Sequence, residues 1–174
     1  RGGGAPVRGP ALPTERYYEE EGRAELTPRD FGILMHRVFE NAATTDEIYM
    51  AIEAMTQDGV LDEKEAPRLR ELVEKALADP VTAEWFGGRW QVVRNENEII
   101  LPGSGTTRRP DRVMTDGERA VVVDYKFGDR ETARHRKQIR EYLRLLRQMG
   151  YTRTEGYLWY VRLGRTERVE EKED

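Results

Sequence analysis

Residues 109–128 read RPDRVMTDGERAVVVDYKFG, and this stretch decides the fold. Two apolar segments, 109–114 and 119–126, flank a polar break at residues 115–117 that ends in glycine. A break of this kind between two such segments predicts a β-hairpin. The three consecutive valines at 121–123 predict that the second strand is buried, because valine favours strands and adds no polar side-chain group.

Three charged residues lie at one end of this hairpin. Asp111 belongs to the first strand, Asp124 follows the valines, and Lys126 comes two positions later. Because side chains alternate between the faces of a strand, Asp124 and Lys126 project from the same side. Two carboxylates beside an ammonium group can hold a divalent cation and position a water molecule, as phosphodiester hydrolysis requires. The alternative is a surface hairpin that carries one ordinary salt bridge.

The composition limits the classes of protein and site. The chain has 174 residues, about the size of one domain. It contains no cysteine, which excludes disulfides, thiolate zinc sites and cysteine-ligated iron–sulfur clusters. No run of about 18 apolar residues is present, and the first residues lack the apolar centre of a signal peptide. We therefore expect no membrane partner and a cytoplasmic location.

Charge is unevenly distributed along the chain. The net charge of −4 argues mildly against a nucleic-acid partner. Residues 134–147, however, contain six basic residues and a single acidic one, Glu141. Such a stripe indicates either a contact for phosphate groups or a solvated helix face, and charge alone does not choose between them. Arg134, Arg140 and Arg144 are the candidates for phosphate contacts.

Hydrophobic periodicity and turn residues predict one domain at 27–169. A linker and N-terminal extension (1–26) precedes it, and an acidic tail (170–174) follows. The first helix begins at the N-cap Thr27 and continues to about residue 43. Two helices, at 45–56 and 62–79, form a helical insertion at 44–86. The remaining predictions are strands at 90–94, 98–101, 156–163 and 165–169, and a helix at 131–149 that Gly150 ends.

Five segments resemble, in order, the RecB-type nuclease domain of the PD-(D/E)xK superfamily. They are 31–36 (FGILMH) with Glu40, 95–96 (NE), 109–113 (RPDRV), 123–128 (VDYKFG) and 138–142 (QIREY), the last matching the family's Q-x-x-x-Y element. The resemblance covers roughly residues 27–163 and looks most like the C-terminal nuclease domain of bacterial UvrD/AddA-like helicase–nucleases. Two features depart from the family. The four cysteines that bind an iron–sulfur cluster in some relatives are absent, and Arg109-Pro110 replaces the usual glycine.

The resemblance implies an α/β fold with a restriction-endonuclease-like core. A helix is followed by a three-stranded, mostly antiparallel β-meander, a second helix and one or two strands, with the helical insertion after the first helix. It also implies a metal-dependent deoxyribonuclease that uses Mg²⁺ or Mn²⁺ and no iron–sulfur cluster. The implied substrate is single-stranded DNA, delivered by a helicase motor in the same parent chain or complex during DNA repair and recombination.

The resemblance assigns roles to individual residues. His36, Asp111, Asp124 and the backbone carbonyl of Tyr125 would bind the metal, and Lys126 would orient or deprotonate the attacking water. The DNA-binding residues would be Gln138, Tyr142, Arg140 and Arg144. Glu40 and Glu96 are further candidates, with Glu98 as an alternative to Glu96. Two rivals stay open: a catalytically silent module that binds DNA or docks a helicase, and a metal-binding regulatory domain.

Overall fold

The computed structural model describes residues 28–95, 99–100, 107–108, 110–127 and 133–172. Four residues named above lie outside this range: the predicted cap Thr27, the candidate residues Glu96 and Glu98, and Arg109. The positions of the other candidate side chains are described below.

Five helices and seven strands occur within the described residues. The helices are α1 (Pro28–Phe39), α2 (Thr45–Gln57), α3 (Glu65–Ala76), α4 (Pro80–Trp85) and α5 (Ala133–Gln148). The strands are β1 (Val92–Asn95), β2 (Ile99–Ile100), β3 (Thr107–Arg108), β4 (Arg112–Asp116), β5 (Arg119–Lys126), β6 (Arg153–Tyr160) and β7 (Arg165–Val169). Helices and strands follow one another in the predicted order, and the α/β class is confirmed.

Five of the strands form one sheet in the order β1-β4-β5-β6-β7, so β5 is central. β1, β4 and β5 form the predicted antiparallel meander, β6 runs parallel to β5, and β7 returns antiparallel to β6. The predicted hairpin is confirmed, since Asp116 pairs with Arg119 across a turn in which Gly117 has a φ of 58°. Of the strand predicted at 98–101, the structure describes Ile99–Ile100 as β2. This strand does not belong to the five-stranded sheet, because it pairs with β3 in a separate two-stranded sheet.

The two faces of β5 contribute to two different hydrophobic cores. Val121, Val123 and Tyr125 pack with residues of α1–α4, whereas Ala120 and Val122 pack with residues of α5. Helices therefore cover both faces of the sheet, which is why the valine run contains no polar position. Asp124 and Lys126 continue the even-numbered series, so they lie on the face that α5 covers.

Hydrogen bonds cap the first helix of the insertion and join the two ends of the insertion to each other. Thr44 caps α2 by accepting a hydrogen bond from the Glu47 N–H, and the Thr45 N–H donates to the Phe86 carbonyl at 3.0 Å. The apolar positions that predicted its helices are buried in the core on the α1 side of the sheet, including Ile48, Ile52, Met55, Leu69 and Val73. The insertion thus forms part of the layer that supports this face.

The first helix is shorter than predicted. α1 ends at Phe39 rather than near residue 43. The carbonyls of Ala42 and Ala43 accept hydrogen bonds from the buried Arg112 side chain, at 2.5 and 2.9 Å. The Glu40 N–H still donates to the His36 carbonyl, but the Ala42 N–H donates to the Phe39 carbonyl only three residues earlier, so the α-helical pattern ends here in a turn.

The end of α5 confirms one prediction and corrects another. The N–H groups of Gly150 (φ 106°) and Tyr151 donate to the carbonyls of Arg147 and Leu146, which is the pattern of a glycine-terminated helix. The helix was predicted to continue to residue 149, but it ends at Gln148. The Met149 N–H still donates to the Leu145 carbonyl at 3.0 Å, and the Met149 side chain is 64% exposed.

Gly156 of β6 lies where α5 packs tightly on the sheet. A Cβ atom here would overlap the Ile139 side chain and lie 3.2 Å from a methyl group of Leu143. We expect Gly156→Ala to lower the free energy of unfolding by about 1–3 kcal/mol, because α5 must shift away from the sheet. Urea denaturation followed by circular dichroism measures this. Gly87→Ala is the control, since a Cβ there makes only ordinary contacts, and equal stability of both variants would contradict the expectation.

Candidate active site

The open end of the β4–β5 hairpin carries the two predicted carboxylates. Main-chain pairing of these strands ends at Arg112 and Val123. Beyond that pair, the Asp111 N–H donates to Oδ1 of Asp124 at 3.0 Å, and the Tyr125 N–H donates to Oδ2 of Asp111 at 2.7 Å. Carboxylate oxygens thus take the acceptor positions that a strand partner would supply, and this fixes both carboxyl groups at one point of the sheet.

Both carboxyl groups are largely shielded from solvent. Asp124 is buried, and the Asp111 side chain is 19% exposed. Burial raises the pKa of both carboxyl groups, and the charge of Asp124 raises the pKa of Asp111 further, to about 6. The Tyr125 N–H and the charges of His36 and Lys126 oppose this rise. Burial therefore disfavours the charged forms of these two neighbouring acids, and a bound cation would stabilise those forms.

His36 reaches the carboxylates from α1. Its Nε2 lies 3.8 Å from Oδ1 of Asp111. Its ring packs edge-on against Tyr125 and Phe127, with centroid distances of 5.9 and 5.2 Å. One turn earlier, a Cβ on Gly32 would lie 3.2 Å from the Phe127 side chain, so glycine lets α1 approach this closely. Aromatic packing therefore sets the orientation of the imidazole toward Asp111.

Lys126 ends β5 on the face that α5 covers. Its carbonyl accepts a hydrogen bond from the Val161 N–H at 3.1 Å, which holds the strand end beyond its pairing with β6. The Lys126 charge lowers the pKa of both Asp111 and Asp124. Asp124 and Lys126 lie on one face at the end of the central strand, and the Asp111 main chain contacts Asp124 there.

His135 also belongs to this site, although sequence reasoning missed it. It lies in the first turn of α5 and interacts electrostatically with Lys126 and Asp124. Burial and the Lys126 charge lower its pKa, and its Nδ1 is buried without a hydrogen-bond partner in the described part of the chain. The one available signal was its position on the helix that follows the lysine strand. Both histidines of the chain therefore flank the carboxylates, from α1 and from α5.

Arg112 anchors the site to the helical insertion, and sequence reasoning missed it as well. Its side chain is fully buried, and its guanidinium lies 4.0 Å from the centre of the Phe86 ring. The guanidinium donates to the carbonyls of Ala42, Ala43 and Trp85 and to the side-chain oxygen of Asn95. Burial lowers its pKa. Because Arg112 directly follows Asp111, this network fixes the backbone that carries the first carboxylate.

The basic stripe of α5 divides between two helix faces. On one face, three arginines contact the C-terminal segment: Arg136 pairs with Glu167, Arg140 donates to the Glu170 carbonyl at 3.2 Å, and Arg147 lies 2.7 Å from Glu171. On the other face, a pocket of about 250 Å³ is lined by Arg134, Lys137, Gln138 and Glu141. Arg144 is exposed and lies one turn after both Arg140 and Glu141. Of the two predicted DNA-binding arginines, Arg140 thus contacts the acidic segment and Arg144 is exposed.

The predicted Gln138–Tyr142 pair forms, but its two members have different environments. Gln138 Nε2 lies 3.1 Å from the Tyr142 hydroxyl. Tyr142 is fully buried in the core between α5 and the sheet, and its contact with DNA stays a prediction. Its hydroxyl holds the Gln138 amide at the pocket. Glu40 directly follows α1 and is exposed, and its N–H donates to the His36 carbonyl.

The groups at the open end of the hairpin are of the types that bind a small divalent cation. Carboxylate oxygens suit Mg²⁺, and an imidazole beside them suits Mn²⁺. The carbonyl of Tyr125 faces the same edge as its N–H, toward Asp111, because both groups of a strand residue face one neighbour. Across the described ranges, however, no three His, Asp or Glu side chains are grouped as metal ligands. The carboxylates are engaged with main-chain N–H groups instead.

Comparison with known proteins bears on this geometry. A family model described as the PD-(D/E)XK nuclease superfamily matches residues 12–174. No curated protein sequence gives a significant match. Among the described residues, no helix is both long and apolar enough to cross a membrane.

Proposed function

We propose, from the premise that this chain belongs to the PD-(D/E)XK nuclease superfamily, that it is a deoxyribonuclease domain that depends on a divalent metal and hydrolyses phosphodiester bonds. One observation carries the proposal. Two desolvated carboxylates, Asp111 and Asp124, meet at the open end of β4 and β5, and the charge of Lys126 acts on both. A fold has no structural need to bury two neighbouring acids, whereas a metal-dependent nuclease does.

Each residue of the site has a distinct part in the proposed reaction. Asp111, Asp124 and His36, with the Tyr125 carbonyl, would hold Mg²⁺ or Mn²⁺. A cation bound there polarises a phosphoryl oxygen and lowers the pKa of its bound water. Lys126 orients the attacking water and offsets charge that develops on the phosphate. His36 is held by packing against aromatic rings, so it would bind without losing side-chain freedom.

The substrate and the partner are proposed on the resemblance to RecB-type domains. In the helicase–nucleases that this chain resembles, a motor delivers unwound strands to the nuclease domain. We therefore propose single-stranded DNA as substrate, a helicase motor in the same parent chain or complex as partner, and a role in cytoplasmic DNA repair and recombination. Gln138, Arg140, Arg144 and Tyr142 are the proposed DNA-binding residues, of which the first three are at least partly exposed and Tyr142 is buried.

One observation favours a second candidate, a catalytically silent module that binds DNA or docks a helicase. The described His, Asp and Glu side chains are not grouped as three metal ligands. Against it, a silent module would have no use for the two neighbouring desolvated carboxylates Asp111 and Asp124. The two candidates differ in whether the protein cuts DNA when a divalent ion is supplied.

A cleavage assay separates the two candidates. The protein is incubated with an end-labelled single-stranded oligonucleotide and Mg²⁺, Mn²⁺ or EDTA. We expect cutting with either ion and none with EDTA, and a loss of roughly a thousandfold or more in Asp124→Asn and Lys126→Met. Asp116→Asn is the matched control, because Asp116 is an exposed acid at the other end of the same hairpin.

The silent-module candidate has its own expected result. The wild-type protein would bind the oligonucleotide but leave it intact under every metal condition. Cutting that survives in Asp124→Asn would also exclude the proposed site, because the activity would then arise from other residues or from a contaminant.

A further inference from the structure

Phe127 directly follows the end of β5 and packs on the α1 side of the sheet. It is one of the partly buried residues that pack against the core shared with α1–α4. Lys126, the residue before it, pairs with Tyr160 of β6, and its carbonyl accepts a hydrogen bond from the Val161 N–H at 3.1 Å. The main chain that leads into Phe127 is therefore fixed to the sheet.

The Phe127 ring contacts the imidazole of His36. The two ring centroids are 5.2 Å apart and the ring planes are inclined at 60°, which is an edge-to-face arrangement. Tyr125 contacts the same imidazole at 5.9 Å, but the Tyr125 ring is buried and also packs against Phe39 and Trp159. Of the two rings, Phe127 thus makes the closer contact and is only partly buried.

Glycine at position 32 permits this arrangement. Gly32 and His36 are four positions apart on α1, so they lie on one helix face. A Cβ on Gly32 would lie 3.2 Å from the Cβ of Phe127 and 3.3 Å from the first atom of its ring. A larger residue at position 32 would therefore displace the ring that holds the imidazole.

The imidazole held in this way lies where it can share a cation with Asp111. Its Nε2 is 3.8 Å from Oδ1 of Asp111, which is longer than a hydrogen bond. A small divalent ion lies about 2.1 Å from each nitrogen or oxygen ligand, so two ligands of one ion are at most about 4.2 Å apart. The observed separation is within this limit, so the imidazole fits as a ligand in its present orientation.

An imidazole ligand affects Mn²⁺ and Mg²⁺ unequally. Carboxylate oxygens bind both ions, but Mg²⁺ demands oxygen ligands and keeps several of its waters. Mn²⁺ is a transition metal and accepts an imidazole nitrogen more readily. A residue that fixes the imidazole in place therefore influences which of the two ions the site prefers.

We propose that Phe127 is a positioning residue that acts through His36 to give the site a preference for Mn²⁺ over Mg²⁺. The inference rests on the metal site of the proposed function and concerns a residue that supplies no ligand atom. Without the Phe127 ring, the imidazole gains access to other rotamers, and ion binding must then restrict it to one of them. Residues that orient metal ligands in this way typically change the metal affinity by tenfold or more when they are replaced.

Competition between the two ions in the absence of DNA tests the proposal. Metal-free protein is titrated with Mn²⁺, the free ion is followed by its paramagnetic resonance signal, and Mg²⁺ is then added to displace the bound Mn²⁺. The wild type should bind Mn²⁺ more tightly than Mg²⁺. In Phe127→Ala, the Mn²⁺ affinity should fall roughly tenfold and the Mg²⁺ affinity by no more than about twofold.

The matched control is Tyr157→Ala. Tyr157 is another partly buried aromatic residue that packs against the same core, and its ring contacts Trp85 at 5.2 Å. This substitution removes a comparable amount of aromatic packing, so it reports the effect of a loosened core. The ratio of the Mn²⁺ and Mg²⁺ affinities should stay at the wild-type value in Tyr157→Ala.

A double-mutant cycle separates positioning from a general loss of packing. His36→Ala should weaken Mn²⁺ binding, and Phe127→Ala should weaken it no further in that background. Gly32→Ala disturbs the same contact from α1, and it should lower the preference for Mn²⁺ by a few-fold and have no effect once the Phe127 ring is absent. Circular dichroism shows which variants fold, and if Phe127→Ala does not, the effects of Gly32→Ala with and without His36→Ala decide.

Several results would overturn the proposal. They are equal losses of affinity for both ions in Phe127→Ala, no change for either ion, an effect that persists in His36→Ala, and a wild type that does not prefer Mn²⁺ or shows no saturable Mn²⁺ binding. If the wild type does not cut DNA but the ion preference changes as expected, the proposed nuclease function fails and the positioning role stands. If the wild type cuts DNA and the preference is unchanged in Phe127→Ala, only the positioning role fails.

Discussion

Replacing Asp111 with asparagine is expected to abolish cleavage and, at neutral pH, to make the metal-free protein more stable. Cleavage should fall by roughly three orders of magnitude, because the substitution removes a charged oxygen ligand from the proposed metal site. Stability should rise because Asp111 is mostly shielded and beside Asp124, which raises its pKa to about 6. An asparagine oxygen can still accept the hydrogen bond from the Tyr125 N–H.

The sign of the pH dependence follows from this raised pKa. Between about pH 4 and about pH 6, the folded metal-free protein keeps a proton on Asp111 that the unfolded chain has lost. The free energy of unfolding therefore falls as pH rises through this interval, by about 2–3 kcal/mol, and is level above it with respect to this group. Asp124, whose pKa burial also raises, changes stability in the same direction.

Thermal denaturation of the metal-free protein from about pH 4 to about pH 8 measures this effect. Asp111→Asn should raise the midpoint at neutral pH by roughly 4–8 °C, which corresponds to about 2 kcal/mol for a chain of this size. The substitution should also make the thermal midpoint fall less steeply as pH rises. Asp116→Asn should change neither. A variant that is less stable than the wild type at pH 7.5 would show that burial of the Asp111 charge carries no cost.

Replacing Arg112 with alanine is expected to be the most destabilising change among the charged residues near the site. The substitution removes the guanidinium that donates to the carbonyls of Ala42, Ala43 and Trp85 and opens a cavity beside Phe86. Loss of such a network costs about 3–5 kcal/mol, a large part of the 5–15 kcal/mol that stabilises a typical domain. Arg112→Lys should recover only part of the lost free energy of unfolding, because an ammonium group cannot reproduce the forked geometry of the guanidinium.

Urea denaturation compares these variants with Arg153→Ala, which removes an exposed arginine from the start of β6. The control should change the free energy of unfolding by no more than about 0.5 kcal/mol. If Arg112→Lys folds, its cleavage rate should fall as well, because the Arg112 network positions the backbone of Asp111. Full activity and stability in Arg112→Ala would contradict this positioning role.

The fold was largely predictable because its signals are local. The valine run of β5, the Gly117 turn and the Gly150 helix stop each depend on neighbours in sequence, and all three are confirmed. The turn after α1 involves a long-range partner, because Arg112, about 70 residues away, donates to the carbonyls of Ala42 and Ala43 that follow the helix. No pattern within the helix itself carries that information.

The candidate site was predictable only in part. Asp124 and Lys126 follow from strand alternation, and the neighbourhood of Asp111 and His36 followed from the resemblance. The roles of His135 and Arg112 depend on which helix face and which core each side chain meets, and this is a property of the packed structure. The same reason explains Tyr142, whose burial removes it from the surface although its pairing with Gln138 was expected.

Titration of the metal-free protein with Mn²⁺, followed through the paramagnetic resonance signal of the free ion, measures the metal site without involving DNA. We expect saturable binding in the wild type and in Asp116→Asn, and loss of that binding in Asp111→Asn and Asp124→Asn. Binding should also raise the thermal midpoint of the wild type, as expected for a ligand that favours the folded state. Mn²⁺ binding of unchanged strength in Asp124→Asn would show that the paired carboxylates of β4 and β5 are not a metal centre.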